Sequence, residues 1–144
     1  MGRLELQGFE DLSDAFNRIS DIPKAVTEDA LKAMASVAAA RIRATGESMG
    51  VRDPESSVHI LDKIKQAKPK LNASGGYADI TFSGTRTRGR TRTRNAEIAF
   101  VNEYGKRGQQ ARPFIGAAME RHAAAIAKPG EDIVGDWIEK EWKK

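Results

Sequence analysis

NAEIAFVNEYGKRGQQARPFIGAAME, residues Asn95 to Glu120, is the stretch on which the fold turns. From Ala96 to Tyr104, Ile98 and Phe100 share one parity while Ala99 and Val101 take the other, which predicts a strand apolar on both faces and central in a sheet. Gly105 and Gly108 end it. Pro113 suits the first turn of a helix, where its missing N–H has no partner to lose. Phe114, Ala117, Ala118, Arg121 and Ala125 follow at helical spacing. The expectation is a buried strand turning tightly into a packed helix. Gly105 supplies a turn that a Cβ would obstruct, and Phe114 anchors the core.

Upstream, Leu4 and Leu6 alternate with polar neighbours as a short edge strand over Arg3–Gln7. Phe9, Leu12, Phe16 and Ile19 then fall at three- and four-residue intervals, the spacing of a short amphipathic helix. The longest helix is expected from Pro23 to Thr45. Glu28 and Asp29 lie near its positive end, Arg41 and Arg43 near its negative end, and Gly46 stands where a left-handed cap would close it. Val26, Ala30, Met34, Val37, Ala38 and Ile42 form its inward stripe. The remaining alanines serve either helix propensity or the close approach of another helix. Ser56 or Ser57 is placed to cap a short helix through Val58, Ile60, Leu61 and Ile64, and Leu71–Ser83 reads as a half-buried strand after a Gly75-Gly76 turn. At the far end Pro129-Gly130 is expected to break or kink the helix. Ile133, Val134, Trp137, Ile138 and Trp142 then form an apolar stripe. Trp137 and Trp142 either close the core or dock a neighbouring subunit, where tryptophan is favoured as an anchor.

The fold class expected is α+β. A small antiparallel sheet packs against a long N-terminal helix and a C-terminal helix, in a single domain over residues 1–144, with an extended arginine-rich arm over residues 84–95. That arm, GTRTRGRTRTR, places Arg86, Arg88, Arg90, Arg92 and Arg94 on alternate positions with no acid among them. If the segment is extended, all five guanidinium groups project from one side as a cationic comb. Its local +5 against a total of +4 leaves the rest of the chain at −1, a nearly neutral body bearing one cationic segment. Either the arm is a solvated loop or it contacts DNA or an acidic patch on a partner.

Glu103-Tyr104-Gly105, a short polar turn, then Ala111-Arg112-Pro113-Phe114-Ile115 and Ala118 resemble the minor tail component, or tail-completion, family of long-tailed bacteriophages. This chain has Lys106 where that family usually has Thr. The resemblance implies a structural virion protein of the neck, forming a homo-oligomeric ring at the head-to-tail junction. It would be assembled in the host cytoplasm, with other neck and tail-tube proteins as partners and transient contact with the passing genome. It also implies that Glu103, Tyr104, Gly105, Arg112, Pro113 and Phe114 are structural.

The chemistry excluded is broad. With no cysteine there are no disulfides or thiolate metal sites. His59 and His122 have no ligand set at metal spacing, and no nucleophile with a base or pair of catalytic carboxylates is recognisable. Neither a cofactor, a metal nor an enzymatic activity is expected. The opening MGRLELQGFEDL lacks the order of a signal peptide, and no apolar run is long enough to span a bilayer, so no membrane partner is expected. The competing function is a stand-alone nucleic-acid-binding module that uses the arm. Against it, no recognition helix or set of stacking aromatics is evident.

Overall fold

The computed structural model describes residues 21–52, 59–73 and 75–144. The edge strand expected at Arg3–Gln7, the helix over Phe9–Ile19 and the Ser56 or Ser57 cap lie outside these residues. Among those described, the architecture is α+β: four helices and three short antiparallel strand pairs.

Helix α1 spans Lys24–Ser48, and the two helices that follow residue 113 pack against it. Pro23 caps it without a side-chain bond, its carbonyl accepting from the N–H groups of Val26 and Thr27 at 3.0 and 3.2 Å. Gly46 does not close the helix as expected. It lies inside the last turn, buried, because a Cβ there would stand 2.6 Å from Leu61 and 3.1 Å from Phe114. The glycine that takes the left-handed conformation is Gly50, with φ of 73°. Sequence signals for a C-cap glycine do not separate these two roles, since both need the absence of a Cβ.

Helix α4, Ala123–Trp142, packs along α1. Ala30, Ala35, Ala38 and Ala39 of α1 are buried, and Ala30 lies beside Gly130 of α4. Gly130 completes the fit, since a Cβ on it would meet Met34 at 2.4 Å. The break expected at Pro129-Gly130 is not seen: Pro129 sits inside α4, and the chain bends earlier, at His122 (φ −117°, ψ 19°), between α4 and α3 (Phe114–Arg121). An interior proline costs about 3 kcal/mol or more, and the contacts that Ile126, Gly130 and their neighbours make with α1 carry the helix through it. On α4, Trp137 is half-buried and Trp142 is 51% exposed.

A single 3₁₀ turn, Ile60–Lys63, replaces the short helix expected to run on through Ile64. It leads into β1, Ile64–Gln66, which pairs antiparallel with β4, Ile80–Phe82. Between them β2 (Lys70–Asn72) and β3 (Gly75–Tyr77) form their own hairpin, so the one strand expected over Leu71–Ser83 is replaced by parts of three, β2, β3 and β4, and the Gly75-Gly76 turn by the start of β3. Strands β5 (Thr85–Arg88) and β6 (Thr91–Arg94) make the third pair.

The largest correction concerns Ala96–Tyr104, which is not a strand but helix α2, Asn95–Tyr104. Its burial follows helical rather than alternating spacing. Asn95, Ala99 and Asn102 are buried, while Phe100 and Tyr104 are 62% and 69% exposed. An apolar run of this length fits a two-sided strand or a helix carrying exposed aromatics equally well. Asn95 decides between them: its backbone N–H bonds Gly84 at 3.0 Å and its amide nitrogen bonds the Ser83 carbonyl at 2.8 Å, fixing the start of the helix against the base of the arm. The core then forms from Ile42, Val51, Ile60, Leu61, Phe82, Ala99, Phe114 and Ala118. At its centre Phe114, with no exposed surface, meets Phe82 edge-to-face at 5.9 Å.

Candidate interaction site: an arginine hairpin over a cationic cleft

The arm is a β-hairpin whose register divides its arginines between two faces. Gly89 takes φ of 61° and Arg90 no positive φ, the φ pattern of a type II′ turn, which suits a two-residue connection. Arg86 stands opposite Thr93 and Arg88 opposite Thr91, while Arg92 faces Thr87 and Arg94 faces Thr85. Residues directly opposite share a face. One face therefore carries Arg86 and Arg88 with Thr91 and Thr93. The other carries Arg92 and Arg94 with Thr85 and Thr87, and Arg90 is at the tip. The single-sided comb expected from an extended chain is thus corrected: strict alternation puts all arginines on one side only while the strand does not turn back on itself.

The first face roofs an open cleft of about 740 Å³. Opposite it lie the segment leaving α1 (Gly50, Val51, Arg52), the inner side of α2 (Glu97, Ile98, Val101, Asn102) and the turn after α2 (Lys106, Gln109, Arg112). Among the described residues five cations thus line it with one carboxylate. They are not equivalent. Arg52 is satisfied by Asp62 and Glu47, each at 2.9 Å, and its hydrogen bond to Asp62 holds that carboxyl below its ordinary value. Arg112 gives one N–H to the Gly50 carbonyl at 2.6 Å, a neutral acceptor that leaves its charge uncompensated. Glu97 is occupied from the far face of the hairpin by Arg94, at 2.9 and 2.7 Å. Among the described residues the lining of the cleft is therefore cationic, with Arg88, Lys106 and Arg112 contributing beside Arg86. Its floor is apolar, with half-buried Ile98 and Val101 beside buried Val51.

The residues Glu103 to Phe114 form the joint that holds this cleft open. Gly105 ends α2 with φ of 76°, and a Cβ on it would come within 2.9 Å of Ala111 and Gln109 backbone atoms. Lys106 and Gln109 then exchange backbone bonds around the Arg107-Gly108 turn. Pro113 leaves the first N–H groups of α3 without a side-chain cap, and Glu103 supplies one from the neighbouring helix. Its two carboxylate oxygens accept from Ile115 N–H and Gly116 N–H, both at 2.8 Å. An anion at a helix N-terminus satisfies orphan donors and the helix dipole together. Each of Glu103, Gly105, Arg112, Pro113 and Phe114 thus has a role in joining α2 to α3. Tyr104 is different: it packs on Phe100, ring centroids 4.7 Å apart, on the solvent face of α2.

Arg52 and Lys106 escaped sequence reasoning as members of a site with the arm, since no local pattern links residues so far apart. Among the described residues no group of three His, Cys, Asp or Glu could hold a metal, and no helix is long and apolar enough to cross a membrane. The class defined is thus an α+β protein with a cationic hairpin and cleft and an exposed aromatic pair. Compared with protein-family models, curated proteins and solved structures, the chain matches none.

Proposed function

We propose that the protein is a structural virion component of a tailed phage, a tail-completion subunit that forms a homo-oligomeric ring at the head-to-tail junction. The observation that carries this reading is the joint. The residues through which the chain resembles that family, Glu103, Gly105, Arg112, Pro113 and Phe114, interlock as one unit, and they hold two contact surfaces in fixed relation. One is the cationic hairpin, whose second strand packs against α2. The other is the Phe100–Tyr104 pair, an aromatic surface of the kind interfaces bury. In this reading the hairpin meets the genome or an acidic neck or tail-tube partner, and the aromatic pair and Trp142 meet neighbouring protein.

Disrupting the gene in its phage and imaging the lysate tests the proposal. Separate filled heads and unjoined tails, restored to whole particles by the wild-type gene in trans, are expected. Normal joined particles would refute it. A second reading, a stand-alone nucleic-acid-binding module, rests on the five arginines of the hairpin alone. It predicts tight DNA binding by a monomer that never associates with neck or tail proteins.

A further inference from the structure

We infer that residues 9–19 dock by their apolar side on a face shared by the first half of α1 and the second half of α4, so that the chain's own N-terminal segment covers Trp137. This docking does not depend on the virion role proposed above.

The face follows from the path of α4. Phe114 lies against Gly46 near the end of α1, and Gly130 lies against Ala30 and Met34 nearer its start. The chain therefore runs back along α1, and the later turns of α4 approach the beginning of α1. Past Gly130, Ile133, Val134, Trp137 and Ile138 are half-buried and none is fully buried. Val26, Ala33 and Val37 of α1 are half-buried as well, and their spacing places them on one side of that helix. Partly open valine, isoleucine and tryptophan side chains on adjoining helices form an apolar surface of the kind that marks a contact site.

Pattern, length and attachment select the occupant. Residues 9–19 lie outside the described residues. Their Phe9, Leu12, Phe16 and Ile19 recur at the spacing of one helix face, with Glu10 and Asp14 on the other. At 1.5 Å per residue such a helix is about 16 Å long, matching the roughly 16 Å from Val26 to Val37. The connector to α1 is Ser20-Asp21-Ile22-Pro23, and helices joined by about 2–8 residues are as a rule antiparallel neighbours. Folded back in this way, Ile19 comes beside Val26 and Phe9 lies toward Val37. So short a tether holds the segment at an effective concentration on the order of millimolar beside its own chain, which favours it over the same segment of a second copy. Trp142 is left outside this contact. It stands about 18 Å along α4 from Gly130, whereas α1 begins only about 9 Å before Ala30, so it remains available to a neighbour.

The test is hydrogen exchange read by mass spectrometry on the full chain. Leu12→Ser with Phe16→Ser removes the apolar side of the segment, and Glu10→Ser with Asp14→Ser alters only its polar side. In the first variant the amides of residues 24–37 and 131–138 should exchange about tenfold faster or more, while those of 114–121 keep their protection. The second should match the wild type. Should the first variant unfold and lose protection over 114–121 as well, Leu12→Ala decides, with a smaller rise confined to the same two stretches. Isotope-labelled Leu12→Ser, Phe16→Ser chains mixed with excess unlabelled wild type should stay unprotected there, since each segment serves its own chain. Four results overturn the docking: unchanged exchange over both stretches in the apolar variants, an even rise over the whole chain in Leu12→Ala, an equal rise in the polar-side variant, or protection restored by the wild type. The last would assign the face to the segment of a second copy.

Discussion

Replacing Glu103 tests whether the joint between α2 and α3 depends on a carboxylate. In the wild type its two oxygens each accept a backbone N–H of α3 at 2.8 Å, from Ile115 and Gly116. Among the described residues no other side chain caps this helix, whose first residue, Phe114, is fully buried in the core. Losing a helix cap costs about 0.5–2 kcal/mol, and hydrogen bonds to a charged group are stronger than neutral ones. Glu103→Ala removes both bonds and the charge at the helix N-terminus, so a loss of about 2 kcal/mol is expected. Glu103→Gln keeps one accepting oxygen and should lose about half as much, roughly 1 kcal/mol. With an m-value of about 2 kcal/mol/M in urea, the alanine variant's midpoint should fall by about 1 M. Tyr104→Ala is the control: the neighbouring side chain is 69% exposed, so its stability should change little. An alanine variant within about 0.5 kcal/mol of wild type would refute the capping argument. Equal losses for Ala and Gln would show that the oxygen Gln retains contributes nothing and that the charge carries the whole effect.

Phe114→Ala should cost about 3–5 kcal/mol, since the ring has no exposed surface and packs edge-to-face on Phe82; calorimetry showing an unchanged Tm would remove it from the core. The divided arginine faces leave a DNA duplex about two phosphates to meet, at Arg90 and Arg92, because Arg94 is engaged by Glu97 and the other face is turned into the cleft. The slope of log affinity against log salt should then be about 2 in magnitude, whereas a one-sided comb of five would give about 4.5. Arg52 holds Asp62 ionised below its ordinary value of 3.8, so the folded state gains from this carboxylate above that value and loses the gain as pH falls through the lower folded value. Acid titration should accordingly show Asp62→Asn to be less acid-sensitive than wild type in that window, and identical acid profiles would discount the pair.

The α+β class, the long helix and the Phe114 anchor were legible because each rests on local spacing. Alanine and charge placement give α1 within a few residues, and Pro113 followed by Phe114 and Ala118 gives α3. What escaped reading depends on groups distant in sequence. Gly46 and Gly50 look alike until Leu61 and Phe114 pack onto the first. Pro129 reads as a helix breaker until α1 packs beneath the turn that contains it. Ala96–Tyr104 reads as a strand until Asn95 fastens its start to Ser83 and Gly84.

The misread α2 also has a consequence for the site. As a central strand, Ala96–Tyr104 would have buried Phe100 and left the arm as a simple extension of the sheet. As a helix it divides its residues three ways: Ala99 and Asn102 into the core, Ile98 and Val101 to the cleft floor, Phe100 and Tyr104 to the solvent. The same ten residues therefore separate the cationic cleft from the aromatic pair, and Glu103 at their end fixes the angle to α3. Two contact surfaces on different faces of one short helix are what a subunit needs to touch two different neighbours at once. For that reason Tyr104→Ala, neutral for stability, is the substitution best placed to separate folding from assembly.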